Sequence, residues 1–191
     1  MDIKNVRNVI GVSDVLNKKR TKRFERKYLP EFVYGGMDGA ITTFAVVSGV
    51  IGASLSSIIV LILGFANLFA DGFSMSISNY ISIKSKNELI KNSGKHPAKS
   101  ALATFFSFLL IGFIPMLSFV VAFITKNPAI IKNQFRYSII LTGLAFLTVG
   151  WFRGEVTQKH KFKSAIETLV IGAIAALLAF AVGRFISVLV S

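Results

Sequence analysis

The hydrophobic residues of this chain fall into five long blocks that are separated by short polar segments. Each block reaches or approaches the roughly 20 residues that an α-helix needs to cross about 30 Å of hydrocarbon. The pattern therefore predicts an all-α integral membrane protein with five transmembrane helices. The predicted spans are Phe32–Ala53, Ser57–Ile83, Ala101–Ile124, Tyr137–Phe152 and Ser164–Val190.

The composition agrees with a membrane protein and excludes several other classes. Hydrophobic residues make up 53% of the chain, the mean hydropathy is +0.64, and charged residues make up only 16%. A soluble domain carries about 25% charged residues. Because the chain has no cysteine, a disulfide scaffold, a thiolate metal site and a cysteine nucleophile are all excluded.

The basic residues predict how the helices are oriented. The first 31 residues hold nine Lys or Arg, the second connection five and the fourth four, whereas the first has none and the third has three. By the positive-inside rule, the N-terminus lies in the cytoplasm and the C-terminus outside. Topology thus explains the net charge of +13, and no nucleic-acid partner is predicted. We expect residues 1–31 to form a basic cytoplasmic tail that contacts anionic lipids, and residues 32–191 to form the five-helix domain.

Two carboxylates lie at membrane depth, Asp38 in the first span and Asp71 near the middle of the second. A charge at this depth costs several kcal/mol, and no Lys or Arg lies at a matching depth in any predicted span. Acids without a resident cation are typical of a path for cations. The alternative is that both acids are protonated or hydrogen-bonded and only join helices together.

Helical spacing places further donors beside Asp71. Asn67, Asp71, Met75 and Asn79 follow one another at intervals of four, and Ser74 lies three residues after Asp71. Residues three and four apart share a helix face. One face of the second helix therefore carries amide, carboxylate, thioether and hydroxyl groups.

On the first helix, Thr42 shares a face with Asp38 by the same rule. Oxygen ligands combined with a thioether suit a borderline divalent ion such as Fe²⁺, and Mn²⁺ also fits because oxygen dominates. The predicted metal ligands are Asp38, Asn67, Asp71 and Met75, with Thr42, Ser74 and Asn79 in support.

Several motifs of this chain resemble those of the vacuolar iron transporter family. They are Gly36–Ala45 followed by Ser48–Ala53, Ala70–Ser76 with Asn79-Tyr80, and Ser164–Gly172 with Val182-Gly183-Arg184. The resemblance implies five transmembrane helices with a cytoplasmic N-terminus, and a homodimer with the path at its interface. It also implies that Fe²⁺ or Mn²⁺ leaves the cytosol in exchange for protons.

The resemblance carries over to individual positions. The family's first-span aspartate matches Asp38 and its second-span methionine matches Met75. Its second-span glutamate falls on Asn67, so Asp71, one turn along, is the candidate to replace that charge. The second connection has one acid, Glu88, and five lysines, so the chain is similar to short, prokaryotic-type members that lack the cytoplasmic metal-binding domain.

The leading hypothesis is a homodimeric transporter of Fe²⁺ or Mn²⁺ that works by proton antiport and holds no permanent cofactor. One alternative is a non-transporting assembly or sensing module on the same fold. Another is a proton-coupled exporter of organic cations. The small number of aromatic residues near the acids argues against this alternative. An enzyme is not predicted, because the spans hold no histidine and no nucleophile–base pair. The default location is a prokaryotic plasma membrane, and a vacuole-type membrane is the alternative.

Overall fold

The computed structural model describes residues 3–90 and 94–190, with side chains described from residue 27 onward within those ranges. The described residues form six α-helices and one 3₁₀ turn, with no β-strand among them. The helices are α1 (Ile3–Gly52), α2 (Ser57–Leu89), α3 (Pro97–Gly112), α4 (Leu117–Thr125), α5 (Pro128–Thr157) and α6 (Lys161–Val190). The predicted all-α fold class is confirmed.

Five segments of these helices are long and apolar enough to cross a membrane, as the hydrophobic blocks predicted. They are Lys27–Gly52, Ser57–Leu89, Pro97–Thr125, Pro128–Thr157 and Lys161–Val190. Four of the five predicted blocks lie almost wholly inside a longer helix, and the third lies inside the segment Pro97–Thr125. The reason is that hydropathy marks only the part of a helix that matches the hydrocarbon, whereas the helix itself continues into polar sequence.

The predicted bounds of the fourth span, Tyr137–Phe152, are wrong at both ends. Helix α5 begins at Pro128, where the Asn127 side chain caps it by accepting a hydrogen bond of 2.9 Å from a backbone N–H in the first turn. Proline suits the first helical position because its missing N–H would have no partner there. Lys132 and Arg136, which the sequence placed in the third connection, therefore lie in the first turns of α5.

The third span is broken at Pro115, as a proline inside a helix predicts. Helix α3 ends at Gly112, a 3₁₀ turn occupies Ile114–Met116, and α4 continues the span. The backbone carbonyl of Pro115 accepts a hydrogen bond of 2.6 Å from Ser138 Oγ of α5. The break therefore turns a backbone acceptor toward a neighbouring helix.

Helix α1 lies at the centre of the bundle and packs against α2, α3, α5 and α6. Glycines allow the close approach. A Cβ added to Gly39 would lie 2.5 Å from the backbone oxygen of Phe108 in α3. A Cβ added to Gly183 of α6 would collide with the backbone oxygen of Gly49 in α1. The small residues of the first span thus bring two helices against α1 by direct backbone contact.

One end of the bundle, which we call the basic end, carries the α2–α3 and α5–α6 connections. Lys95 from the first of these contacts Glu31 of α1, and Lys159 from the second lines a cleft together with Leu29 of α1. The backbone of α1 runs without interruption through the predicted boundary between residues 31 and 32. Most side chains of the predicted basic tail, those before Lys27, lie outside the described residues.

Candidate functional site

Helix α1 carries Asp38 half-buried, one residue before the close contact between Gly39 and α3. Thr42, one turn further on, is also half-buried. The Thr42 hydroxyl donates to the backbone oxygen of Asp38 at 2.9 Å. Because this bond goes to the backbone, it leaves the Asp38 carboxylate open to other partners.

Helix α2 packs on α3 through Leu68, Gly72 and Ser76, which are buried. A Cβ added to Gly72 would lie 3.1 Å from the Phe108 ring of α3, so this face is tightly packed. The predicted metal donors of α2 lie beside that face, at the border between the packed side and the open side of the helix. They are Asn67, Asp71, Met75 and Asn79. Of these donors, Asp71 is exposed in the single chain.

Asp38 and Asp71 are close enough for their carboxylates to interact electrostatically, although they lie on different helices. The ion pairs of the described residues use three other acids, Glu31, Glu155 and Glu167. Neither of the two membrane-depth acids therefore forms an ion pair among the described side chains. Within the described ranges no three His, Cys, Asp or Glu side chains come together. A metal at this pair would need neutral donors as well, or donors from a second copy of the chain.

Met75 and Asn79 line a cleft of about 410 Å³ at the basic end, together with Glu31. The Asn79 amide nitrogen donates to Thr104 Oγ1 at 2.6 Å and to the Ser100 backbone oxygen at 3.4 Å, both in α3. Asn79 thus joins α2 to α3. Its amide oxygen, on the opposite side of the planar group, is directed away from these two partners.

The other predicted residues do not line this cleft. Asn67 is half-buried, and its amide nitrogen is buried without a hydrogen-bond partner. Ser74 is exposed. The structure therefore brings Asp38 near Asp71, and Met75 near Asn79, but it does not gather all predicted donors around one point in a single chain.

Glu31 of α1, which is only 7% exposed, is an acid that the hydrophobic pattern did not single out. Its Oε1 accepts from Lys95 Nζ at 2.6 Å and from Ser100 Oγ at 3.4 Å. Hydropathy placed the start of the first span at Phe32 and so left Glu31 outside that span. A usable signal was present, because Glu31 lies seven residues before Asp38 and two helical turns place both on one face.

The architecture defines a polytopic α-helical membrane protein with acidic residues inside its spanning segments. The model of the VIT family matches residues 29–96 and 89–184, two overlapping stretches that cover most of the chain. This chain belongs to the VIT family. The resemblance found in the sequence motifs is confirmed.

Three relatives align with most of this chain. The "Vacuolar iron transporter" of Plasmodium berghei (strain Anka) is 24% identical over 224 aligned positions, covering 83% of this chain and 82% of that protein. "Vacuolar iron transporter 1" of Eucalyptus grandis is 23% identical over 216 positions, covering 81% and 84%. "Vacuolar iron transporter homolog 1" of Arabidopsis thaliana is 25% identical over 205 positions, covering 97% and 98%. All three are named as transporters or their homologues, and none as an enzyme.

The short form of this chain is visible in the α2–α3 connection. Helix α2 ends at Leu89 and α3 begins at Pro97. The few residues between them leave no room for a folded domain. This agrees with the prediction of a short member without a metal-binding domain at this point.

Proposed function

We propose that this protein transports a divalent metal cation, Fe²⁺ or Mn²⁺ or both, out of the cytosol. Membership of the VIT family and the names of the relatives support a metal transporter rather than an enzyme. The observation that carries the proposal is that Asp38 of α1 and Asp71 of α2 lie within electrostatic range of each other and form no ion pair with a basic residue among the described side chains.

The physical argument starts from the cost of these charges. Two carboxylates repel each other strongly in a medium of low dielectric constant, and each is costly at membrane depth. One divalent cation that bridges both would replace this repulsion by attraction. When the metal leaves, protons would neutralise the same oxygens, so metal and protons compete for Asp38 and Asp71. This competition is the basis of proton antiport in our proposal.

The donor types support a borderline divalent ion. Carboxylate and amide oxygens suit both Mn²⁺ and Fe²⁺, and a thioether favours the softer of the two. The metal would use Asp38, Asn67, Asp71 and Met75, with Thr42, Ser74 and Asn79 in support. Because one chain does not gather these donors around one point, we propose that two copies contribute to each site.

The open face of α2 supports such a dimer. Asp71 is exposed, and so are Ser74 and Ser78, which lie three and seven residues further on and therefore on the same side of the helix. A carboxylate facing lipid at this depth would cost several kcal/mol, whereas a second α2 would cover it. We therefore propose a homodimer in which the metal path lies between the paired first and second helices.

The positive-inside rule supports a cytoplasmic basic end, and metal would then move from the basic end to the opposite end. The basic tail, residues 1–31, would contact anionic lipid on the cytoplasmic side. The default location is a prokaryotic plasma membrane. In a vacuole-type membrane, as in the names of the relatives, the direction relative to the cytosol would be the same.

Transport would be tested with the purified chain in proteoliposomes, by measuring Mn²⁺ and Fe²⁺ uptake with and without a proton gradient. We expect gradient-dependent flux that falls at least about tenfold in Asp38→Asn and in Asp71→Asn, since each variant removes a charged ligand. The matched control is Glu167→Gln, which removes an exposed acid paired with Arg153. Absence of flux for both metals in well-folded protein would refute transport and favour the non-transporting module.

The dimer would be tested by cysteine cross-linking, which is clean because the chain has no cysteine of its own. Ser74→Cys lies on the open face of α2 and should give a cross-linked dimer in membranes. Leu178→Cys lies on α6, is 63% exposed, and should remain monomeric on the same gel. Equal cross-linking of the two variants would contradict the α2 interface.

A further inference from the structure

Glu31 has one carboxylate oxygen that is paired and one that is not. Oε1 receives the Lys95 ammonium at 2.6 Å and the Ser100 hydroxyl at 3.4 Å. Oε2 is buried and has no hydrogen-bond partner. A buried, unpartnered carboxylate oxygen is costly, so the site favours a further positive group.

The cleft beside Glu31 offers other donors to a cation. Met75 contributes a thioether, and Ser78 and Ser82 contribute hydroxyls. Asn79 also lines the cleft, and α3 holds its amide nitrogen, which leaves its amide oxygen available. One carboxylate with neutral oxygen and sulfur donors is a ligand set for a borderline divalent ion.

Lys95 is the more exposed partner of the pair. Its side chain is 31% exposed, whereas that of Glu31 is 8% exposed. Its backbone is held in place, because the Lys95 oxygen accepts from Asn87 Nδ2 at 3.0 Å and the next N–H, that of His96, donates to the Tyr28 hydroxyl at 3.4 Å. The Lys95 ammonium can therefore turn out to water without moving the chain, but the Glu31 carboxylate cannot leave the protein interior.

We propose that the cleft at Glu31 is a divalent-cation site of the basic end, and that Lys95, which pairs with Glu31 Oε1, is an internal cation that competes with the metal for this carboxylate. This inference rests on the proposed function, because the cation bound here would continue along α1 to Asp38, two turns further on. When no divalent ion is present, the Lys95 ammonium then remains on the Glu31 carboxylate.

The exchange also discriminates by charge. A monovalent ion offers Glu31 no more charge than the Lys95 ammonium already does, so it gains little by displacing the lysine. A divalent ion offers twice the charge and can also bind Met75 and the Asn79 amide oxygen. The cleft would thus bind divalent ions in preference to K⁺ and Na⁺, although it contains only one acidic side chain.

The test uses Mn²⁺ alone as the probe and measures its binding by the loss of the free-ion EPR signal. The full chain carries Asp38→Asn and Asp71→Asn, so that only the cleft remains. Adding Lys95→Met should tighten Mn²⁺ binding about three- to tenfold, the effect of removing one partly exposed ion pair. Adding Glu31→Gln should abolish binding. Lys86→Met, which removes an exposed lysine at the end of α2, is the matched control and should change nothing.

Further variants distinguish Mn²⁺ binding at the Glu31 cleft from a general effect of net charge or of misfolding. Lys95→Arg, which keeps the cation, should restore the weaker binding of the parent. Every variant must elute as the parent does in size-exclusion chromatography before its binding is compared. Equal Mn²⁺ affinity in Lys95→Met and Lys86→Met, or retained binding after Glu31→Gln, would overturn the proposal.

Flux measurements distinguish this site from the transport function. In proteoliposomes with both acids intact, Lys95→Met should lower the KM for Mn²⁺ by the same three- to tenfold, whereas Lys86→Met should not. If the protein binds Mn²⁺ through Glu31 but moves no metal, the transport proposal fails and the site stands. If metal is transported and the Lys95→Met KM is unchanged, the displacement proposal fails alone.

Discussion

The contact between α1 and α3 makes a quantitative prediction for Gly39→Ala. The new Cβ would lie 2.5 Å from the backbone oxygen of Phe108 and 3.0 Å from its Cα. Neither atom is the end of a flexible side chain, so the two helices must separate by roughly 1 Å to reach ordinary contact distance. A gap of about that size removes a quarter to a half of the dispersion energy of the neighbouring contacts.

Two effects of opposite sign determine how much Gly39→Ala changes the free energy of unfolding. Alanine is the better helix former by about 1 kcal/mol, whereas overpacking of this kind costs about 1–3 kcal/mol, to which the loosened contacts add. We expect Gly39→Ala to lower the free energy of unfolding by about 1–2 kcal/mol. For a chain of this length the melting temperature would fall by roughly 2–8 °C. Metal flux should fall as well, because Asp38 is the adjacent residue.

Gly143→Ala in α5 is the matched control. Its new Cβ would meet only Leu169 Cδ1 at 3.9 Å, which is an ordinary contact, so the helix propensity should leave stability unchanged or raised by up to about 1 kcal/mol. Stability is measured as the fraction of protein that elutes unaggregated after heating, followed by the fluorescence of Trp151. Equal melting temperatures for the two variants would refute the backbone contact between α1 and α3.

Three further substitutions test the same structure by the same heating assay. Asn127→Ala removes the cap of α5 and should cost about 1 kcal/mol without changing metal flux; an unchanged melting temperature would argue against the cap. Ser138→Ala removes the donor to the Pro115 carbonyl and should cost about 1–3 kcal/mol, whereas a neutral result would mean that the broken span does not depend on α5. Glu167→Gln removes an exposed ion pair with Arg153 and should cost less than about 1 kcal/mol; a larger loss would show that this pair holds α5 to α6.

Hydropathy predicted the number and order of the spans correctly, because the length of an apolar block is a property of neighbouring residues and needs no knowledge of packing. The ends of the helices were harder to predict from the sequence. Helix α5 begins at Pro128 because Asn127 caps it, and the polar first turns beyond the hydrocarbon hid that start from a search for apolar blocks. The break at Pro115 was predictable, since a proline lacks the N–H that a helix requires.

At the site, the spacing of Asn67, Asp71, Met75 and Asn79 along α2 follows from the helical period alone, so the sequence determined that these donors share a face. Only the tertiary structure decided their environments. Asn79 is bonded to α3, and Asp71 is left on the open side of a single chain.

The pairing of Glu31 with Lys95 joins residues 64 positions apart, and it depends on the close packing of α3 on α1 that the glycines of α1 allow. Periodicity within one helix carries no information about such a contact. The sequence therefore determined the membrane class, the number of spans and the candidate donors. Packing between helices decided which donors meet, because that depends on backbone distances set by residues far apart in the chain.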